Sequence, residues 1–302
     1  MVSVELIPAD GSATLPPFTA GAHIDLFLPN GSIRNYSLLN AETEDTRYVI
    51  GVYREPQSRG GSQYIHESLR VGQVLRISGP RNNFPLAPEG ARHVLFAGGI
   101  GITPVLAMVR QLVATQRQWW LLYCAQTRGR AAFVGALNLL ASRSRGELTM
   151  HFDDEHAGQP PSIDAEIARH PLDTHFYCCG PRGMLEAFKR ACTGRPPHFV
   201  HFESFVADKV ATSERGFTVI LNRSGRRIAV PPGTSVLDAL ISHGVSVSYS
   251  CQQGVCGTCE TRVLQGTPDH RDQILSEDER KNGQTMMICC SGSLSDELIL
   301  DL

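Results

Sequence analysis

Cys251, Cys256 and Cys259 stand in a C-x4-C-x2-C run, SCQQGVCGTC, and Cys289 follows thirty positions after the last of them. This is the spacing of a plant-type 2Fe-2S cluster, in which two irons sharing two sulfides need four thiolates and one short loop supplies three. Gly254 and Gly257 allow the loop's backbone amides to turn inward. Zinc is the competing metal, but zinc ribbons normally pair two C-x2-C knuckles and this chain has one. The other early cysteines, Cys124, Cys178, Cys179 and Cys192, fall in or beside apolar segments, where three of the four read as small hydrophobes.

Three further stretches have chemistry in them. Gly98, Gly99 and Gly101 in AGGIGITP lie between a predicted strand and a predicted helix, where amides and a positive helix end favour a pyrophosphate. A glycine triplet alone reads as a structural turn about as readily, and it is not the G-x-G-x-x-G fingerprint. A second element, Cys179, Gly180 and Pro181, closes a later strand, and the pair together reads as a nicotinamide dinucleotide site at the carboxyl ends of sheet strands. Arg34, Tyr36 and Ser37 in RNYSLL, with Gly60, Gly61 and Ser62 in SRGGS, have the groups to cover a flat ring and hold a phosphate. Taken alone, strand packing and a flexible loop are the plainer readings of both.

The elements that must position these residues follow from the apolar rhythm. Short runs such as VSVELI, HIDLFL, RNYSLL and RYVIGVY are cut by turn residues, which predicts an antiparallel β-barrel over 1–90. From 91 to 205, apolar strands alternate with helical segments, which predicts an α/β domain with a parallel sheet. Thr103 suits the N-cap and Pro104 the first position of the helix after Gly101, and Pro181 suits the first position of a later one. A polar stretch, 206–215, reads as a linker, and 216–302 as an α+β ferredoxin domain with a Ser235/Asp238 capping pair and a Gly244 stop. MMICC, holding Cys289 and Cys290, reads as a buried strand, so the two sulfurs are expected on opposite faces.

The chain's 302 residues suit two or three domains, and 42% hydrophobic with 19% charged residues is ordinary globular usage. A net charge of -2 removes the electrostatic footing of a nucleic-acid binder. No apolar stretch is long enough to span a bilayer, and MVSVELIPADG lacks the pattern of an export signal, so a cytoplasmic protein with no membrane partner is expected.

The order RNYS, RGGS, GGIGITP, YCCGP and SCQQGVCGTC, with HFESF, PDHRD and the closing LILDL, resembles the phthalate dioxygenase reductase family, vanillate demethylase reductase being a similar relative. The resemblance covers nearly the whole chain. It implies a reductase component of a Rieske-type aromatic oxygenase system, with FMN on the barrel, NADH on the middle domain and a 2Fe-2S cluster at the C-terminus. It implies that Arg34, Tyr36 and Ser37 contact the flavin, that Gly60, Gly61 and Ser62 bind its phosphate, and that Phe205 covers the ring. It further implies that Gly99, Gly101 and Thr103 line the dinucleotide path with Gly180 and Pro181, that Cys179 lies near the nicotinamide, and that Cys289, rather than Cys290, is the fourth cluster ligand. FMN is expected over FAD because the family lacks an adenine-binding extension. Arg128 and Arg130 are the positions that would attract a 2′-phosphate, although solvated loop charges are the plainer reading. A monomer meeting its oxygenase transiently is expected. The family usually begins with one more barrel strand, so the first strand is expected to be missing ahead of Met1. The competing readings are the same electron transfer to a different acceptor, and a non-enzymatic iron-sulfur or zinc redox sensor.

Overall fold

The computed structural model describes residues 1–11, 14–56, 58–88, 92–205 and 215–302. The chain divides into two compact units, Met1–Phe205 and Val206–Leu302. The expected linker, 206–215, lies outside the described residues except for Arg215, and so do the residues on either side of the expected 90/91 boundary.

The first unit opens with strands β1 (Val2–Leu6), β2 (His23–Phe27), β3 (Ile33–Ser37) and β4 (Tyr48–Val52), a short helix α1 (Gly61–Glu67) and strand β5 (Arg76–Ile77). All pairings are antiparallel, as expected, but no closed barrel forms among the described residues. Instead β1 pairs with β4, β2 lies between β3 and β5, and a single Leu38–Ile50 bridge joins the two ladders. The cause is local. Leu38 N bonds to Ala22 O while Leu39 N bonds to Val49 O, so the chain changes partner within one residue. Ile24, Leu26, Tyr48 and Ile50, all with no exposed surface, fill the interior.

The same unit continues as β6 (Arg92–Gly98), α2 (Ile102–Ala114), β7 (Gln118–Ala125), α3 (Val134–Ser142), β8 (Glu147–Phe152), α4 (Ile163–Ala168), β9 (His175–Cys179), α5 (Arg182–Ala191) and β10 (Val200–Glu203). The strands form one parallel sheet in the order β10-β9-β6-β7-β8. Central β6 and β9 are apolar on both faces because helices cover both: α2 brings Val105, Met108 and Val109 to one side, and α4 and α5 bring Ile163, Leu185 and Phe188 to the other. Helix α2 begins at Ile102 after a 3-10 turn over Gly99–Gly101, which makes Gly101 the N-cap. Thr103 is therefore inside the first turn, its hydroxyl donating to Ile100 O at 2.9 Å, and Pro104 follows it. Pro181 likewise is the N-cap residue of α5 and not its first helical position.

The flavin-type and nucleotide-type halves share a core. Ala20 and Phe84 belong to the cluster formed by Leu95, Leu106, Tyr123 and Tyr177. Phe84 meets the Tyr177 ring edge-on at 6.0 Å, and Ala87 N donates to the Tyr177 hydroxyl at 2.9 Å. Burying one such phenylalanine stabilises by about 1.5–3 kcal/mol and the hydrogen bond adds about 1, so the seam is more than a touching surface. A chain cut after Phe205 is accordingly expected to fold, bind FMN and NADH, and keep NADH-dependent dye reduction while losing transfer to an oxygenase. A folded fragment that binds neither nucleotide would contradict this.

The second unit comprises β11 (Phe217–Leu221), β12 (Arg227–Val230), α6 (Val236–Ser242), β13 (Glu260–Gln265), β14 (Pro268–Asp269), α7 (Glu277–Asn282), β15 (Thr285–Met287), β16 (Gly292–Ser293) and β17 (Glu297–Leu300). The main sheet runs β12-β11-β17-β13-β15, with β11 and β17 parallel and the other pairs antiparallel. Ser235 caps α6 by accepting from Asp238 N at 3.0 Å, and Gly244 follows the helix at φ 72°, both as expected. The MMICC expectation needs correcting. The strand ends at Met287, and Cys290 N and Ser291 N both bond to Met287 O, so Ile288, Cys289 and Cys290 lie in a turn where strand alternation does not apply.

Candidate functional site

In the first unit the two flavin-type stretches meet. Arg34, on β3, runs along Gly61, where an added Cβ would stand 2.5 Å from Arg34 Cγ, and its Nη2 donates to Arg59 O at 2.6 Å. Gly60 is fixed by Asn30, whose amide donates to its carbonyl at 3.1 Å, and the Ser62 hydroxyl bonds to Ser58 at 3.0 Å. Burial pushes the Tyr36 phenol up to about 12, with the Arg34 charge opposing, so it stays a neutral ring. Ser37 Oγ is buried without a hydrogen-bond partner among the described residues. A buried hydroxyl left so is costly unless a ligand takes it, so Ser37 fits a flavin that accepts from it.

The two glycine motifs also come together. An added Cβ on Gly101 would fall 2.0 Å from Cys179 O, and one on Gly98 would fall 2.4 Å from Pro181 Cδ and 3.2 Å from Gly180 Cα. Gly101 is thus required by backbone-to-backbone packing of the turn after β6 on the end of β9, and Gly98 chiefly by the Pro181 ring, whereas Gly99 faces open space, the arrangement that suits a phosphate. Thr103 reaches the β4 side, its Cγ2 3.0 Å from where a Cβ on Gly51 would be.

Cys179 is fully buried, and burial pushes its thiol well up and keeps it protonated. It is in register with Glu203 of β10, a residue the motif reading passed over. Glu203 is half-buried, its Oε2 is shut away from solvent with no partner among the described residues, and desolvation raises its carboxyl to about 8. A carboxylate between Phe202 and Phe205 at the end of the VHFE strand was the available signal. Phe205 packs against the cluster that contains Cys179. Cys124 and Cys192 are buried with thiols raised by desolvation to about 12 and about 11, in keeping with their reading as hydrophobes.

In the second unit the loop Cys251–Cys259 turns through Gly254 and Gly257 at φ 68° and 75°. The thiols form a chain within hydrogen-bonding reach: Cys256 to Cys251, Cys251 to Cys289, and Cys289 to Cys259. Among the described residues, no three His, Cys, Asp or Glu side chains converge as they would round a single metal ion. Neighbouring sulfur first, and burial next, push the Cys256 and Cys259 thiols up, so four thiolates can coexist here only with compensating positive charge. The donor set therefore fits an iron-sulfur cluster. The loop already bonds its own sulfurs, Gln253 N to Cys251 Sγ at 3.3 Å and Cys256 Sγ to Thr258 Oγ1 at 3.2 Å. Cys290 Sγ is also within hydrogen-bonding reach of Cys289 and lies 2.6 Å from where a Cβ on Gly254 would stand. Asp272 props the same loop from beneath: Gln273 N donates to Gly254 O, and the buried Asp272 carboxylate accepts from Ile274 N and Leu275 N at 3.0 and 2.8 Å.

Comparison with known proteins bears on the whole chain. The 2Fe-2S iron-sulfur cluster binding domain model matches residues 219–292, and the oxidoreductase NAD-binding domain model matches residues 95–190. Phenoxybenzoate dioxygenase subunit beta of Ectopseudomonas oleovorans is 52% identical over 290 residues, 95% of this chain and 89% of that protein. The solved structure of phthalate dioxygenase reductase, described as modular for electron transfer from pyridine nucleotides to 2Fe-2S, is 38% identical with a TM-score of 0.72, covering 99% of this chain and 92% of that one. The chain belongs to the phthalate dioxygenase reductase family. Tetrachlorobenzoquinone reductase of Sphingobium chlorophenolicum is also similar, 46% identical across 99% of this chain and 93% of that protein. As a phthalate dioxygenase reductase-like protein it is an oxidoreductase of the NADH, FMN and 2Fe-2S type, built from a β-rich flavin region, a parallel-sheet nucleotide region and a ferredoxin domain. No helix among the described residues is long and apolar enough to cross a membrane.

Proposed function

We propose that this chain takes hydride from NADH beside Cys179 onto FMN held by Arg34, Tyr36, Ser37, Gly60, Gly61 and Ser62, and delivers electrons singly through Cys251, Cys256, Cys259 and Cys289 to a Rieske-type aromatic oxygenase. The observation that carries it is that both flavin-type stretches and both glycine motifs converge inside one compact unit, while the four thiols gather in the other. Bound FMN supplies the conversion of one hydride into two single electrons, and the cluster is a one-electron relay at roughly -400 mV, against roughly -150 to +300 mV for Rieske centres.

The chain's own residues bind and orient. Gly99, Thr103, Gly180 and Pro181 shape the dinucleotide path, and Phe205 shields the ring. The neutral Cys179 thiol closes the end of β9, desolvation holds the neighbouring Glu203 carboxyl largely protonated, and Ser37 holds a proton at Oγ toward the flavin. No side-chain base is needed for hydride transfer. The oxygenase contact is transient, the reductase is a monomer, and it works in the cytoplasm. The similarity to tetrachlorobenzoquinone reductase favours a second reading, in which a quinone takes the electrons instead.

Anaerobic stopped-flow mixing with NADH tests the order. The flavin bands should bleach first and the cluster absorbance second, because hydride enters the first unit and electrons leave from the other. Cluster bleaching ahead of any flavin change would defeat the proposal.

A further inference from the structure

Beyond β7 the chain makes a short turn, Arg128–Arg130, and beyond β8 another, Asp153–His156. The two turns are tied together. Asp154 N donates to Gln126 O at 3.1 Å, and the Arg128 guanidinium lies 4.6 Å from the centre of the Phe152 ring. Arg128 then meets Glu155 fork on fork, Nε on Oε1 and Nη2 on Oε2, the second at 2.9 Å. Arg130 donates to Gln126 Oε1. Both turns stand at the carboxyl ends of parallel strands, the first after the strand that follows the glycine turn and the second after the strand paired beside it. Dinucleotide-binding sheets recognise the adenosine ribose in this region, where a carboxylate suits a free 2′-hydroxyl and an arginine a 2′-phosphate.

We propose that the Arg128–Glu155 pair makes this reductase select NADH over NADPH, with Glu155 as the residue that decides it. This rests on the NADH oxidation proposed above. Arg128 alone would mark an NADPH site, since a guanidinium fork matches a phosphate. That fork is one planar set of donors, and Glu155 already takes one of its bidentate edges, Nε and Nη2. An incoming 2′-phosphate must either displace the carboxylate or take the remaining edge, and in both cases it stands beside the Glu155 charge. The rest of the two turns does not compensate: Arg128 and Arg130 stand against Asp153, Asp154 and Glu155, an excess of one negative charge. A 2′-hydroxyl brings no charge and meets none of this opposition.

Steady-state dye reduction by the full-length holoenzyme with each nucleotide tests the proposal. Glu155→Gln keeps the side chain's size and removes its charge. The ratio of kcat/KM for NADPH to that for NADH should rise about tenfold, the size of one charge-assisted contact regained at an exposed site. Adding Arg128→Ala to Glu155→Gln should abolish that gain, and raising the salt concentration should shrink it. An unchanged ratio in Glu155→Gln, or a gain that survives Arg128→Ala, overturns the proposal. A parent protein that oxidises neither nucleotide overturns instead the function on which it rests.

Discussion

Cys289→Ser should lose the cluster's visible and electron paramagnetic resonance signals, while Cys290→Ser should keep both. The two residues are neighbours in one turn, so their separation is a matter of where each sulfur goes. Cys289 reaches Cys251 on one side and Cys259 on the other. Cys290 Sγ bonds to Cys289 itself and to Met287 O at 3.6 Å, and lodges against Gly254, whereas Cys289 is the one that links two of the loop thiols. Removing a ligand from a buried thiolate set costs more than the 10–100-fold typical of groups behind the ligands, so electron transfer to an oxygenase should fall by at least about 100-fold in Cys289→Ser. NADH-dependent flavin reduction should continue at the parent rate, because the cluster loop belongs to the other unit. The assignment is falsified if Cys290→Ser loses its resonance signal and Cys289→Ser retains an unaltered one.

Gly101→Ala should slow NADH-dependent flavin reduction by about 100-fold or more, since a displacement of about 1 Å in a positioning element is enough for that. The added methyl would stand 2.0 Å from Cys179 O and 2.4 Å from Cys179 C, both backbone atoms that no side-chain rotation can move away. The turn after β6 and the end of β9 must therefore part, at an overpacking cost of about 1–3 kcal/mol. Gly135→Ala is the matched control: it sits in α3 with nothing within 4 Å of the new carbon and should behave like the parent. The cluster in Gly101→Ala should still be reduced normally by dithionite. Parent-like flavin reduction in a folded Gly101→Ala protein would show that the packing of the two glycine motifs does not shape the nucleotide site.

Much of this was legible in the sequence because the signals are local. The C-x4-C-x2-C run, the five apolar strands of the parallel sheet and the Ser235 cap each depend on residues close together in the chain. What escaped depends on distant partners. Thr103 looked like an N-cap, but the helix starts where the Gly99–Gly101 turn is seated on Cys179, eighty positions and three strands later. MMICC looked like a strand, and its apolar run could not show that Met287 O would gather two amides and close a turn. Glu203 acquires its raised carboxyl only because β10 is laid beside β9. Arg128 looked like a solvated charge, and only the tie between the turns after β7 and β8 brings Glu155 to it. The cause is the same in each: nearest-neighbour patterns report propensity, and a second segment's backbone or charge then decides.

The seam in the first unit limits how such a reductase can be recombined with its relatives. Phe84 and Ala87 on one side and Tyr177 on the other are a matched set, and Gly51 is shaped to Thr103. A cassette exchange that joins a foreign nucleotide region near residue 90 would set new side chains against Phe84 and Gly51 and leave a clash or a void at each. An exchange in the stretch after Phe205 leaves both sides of that core within one parent. Ferredoxin modules are thus the interchangeable part, while the hydride donor and acceptor regions have to be inherited together.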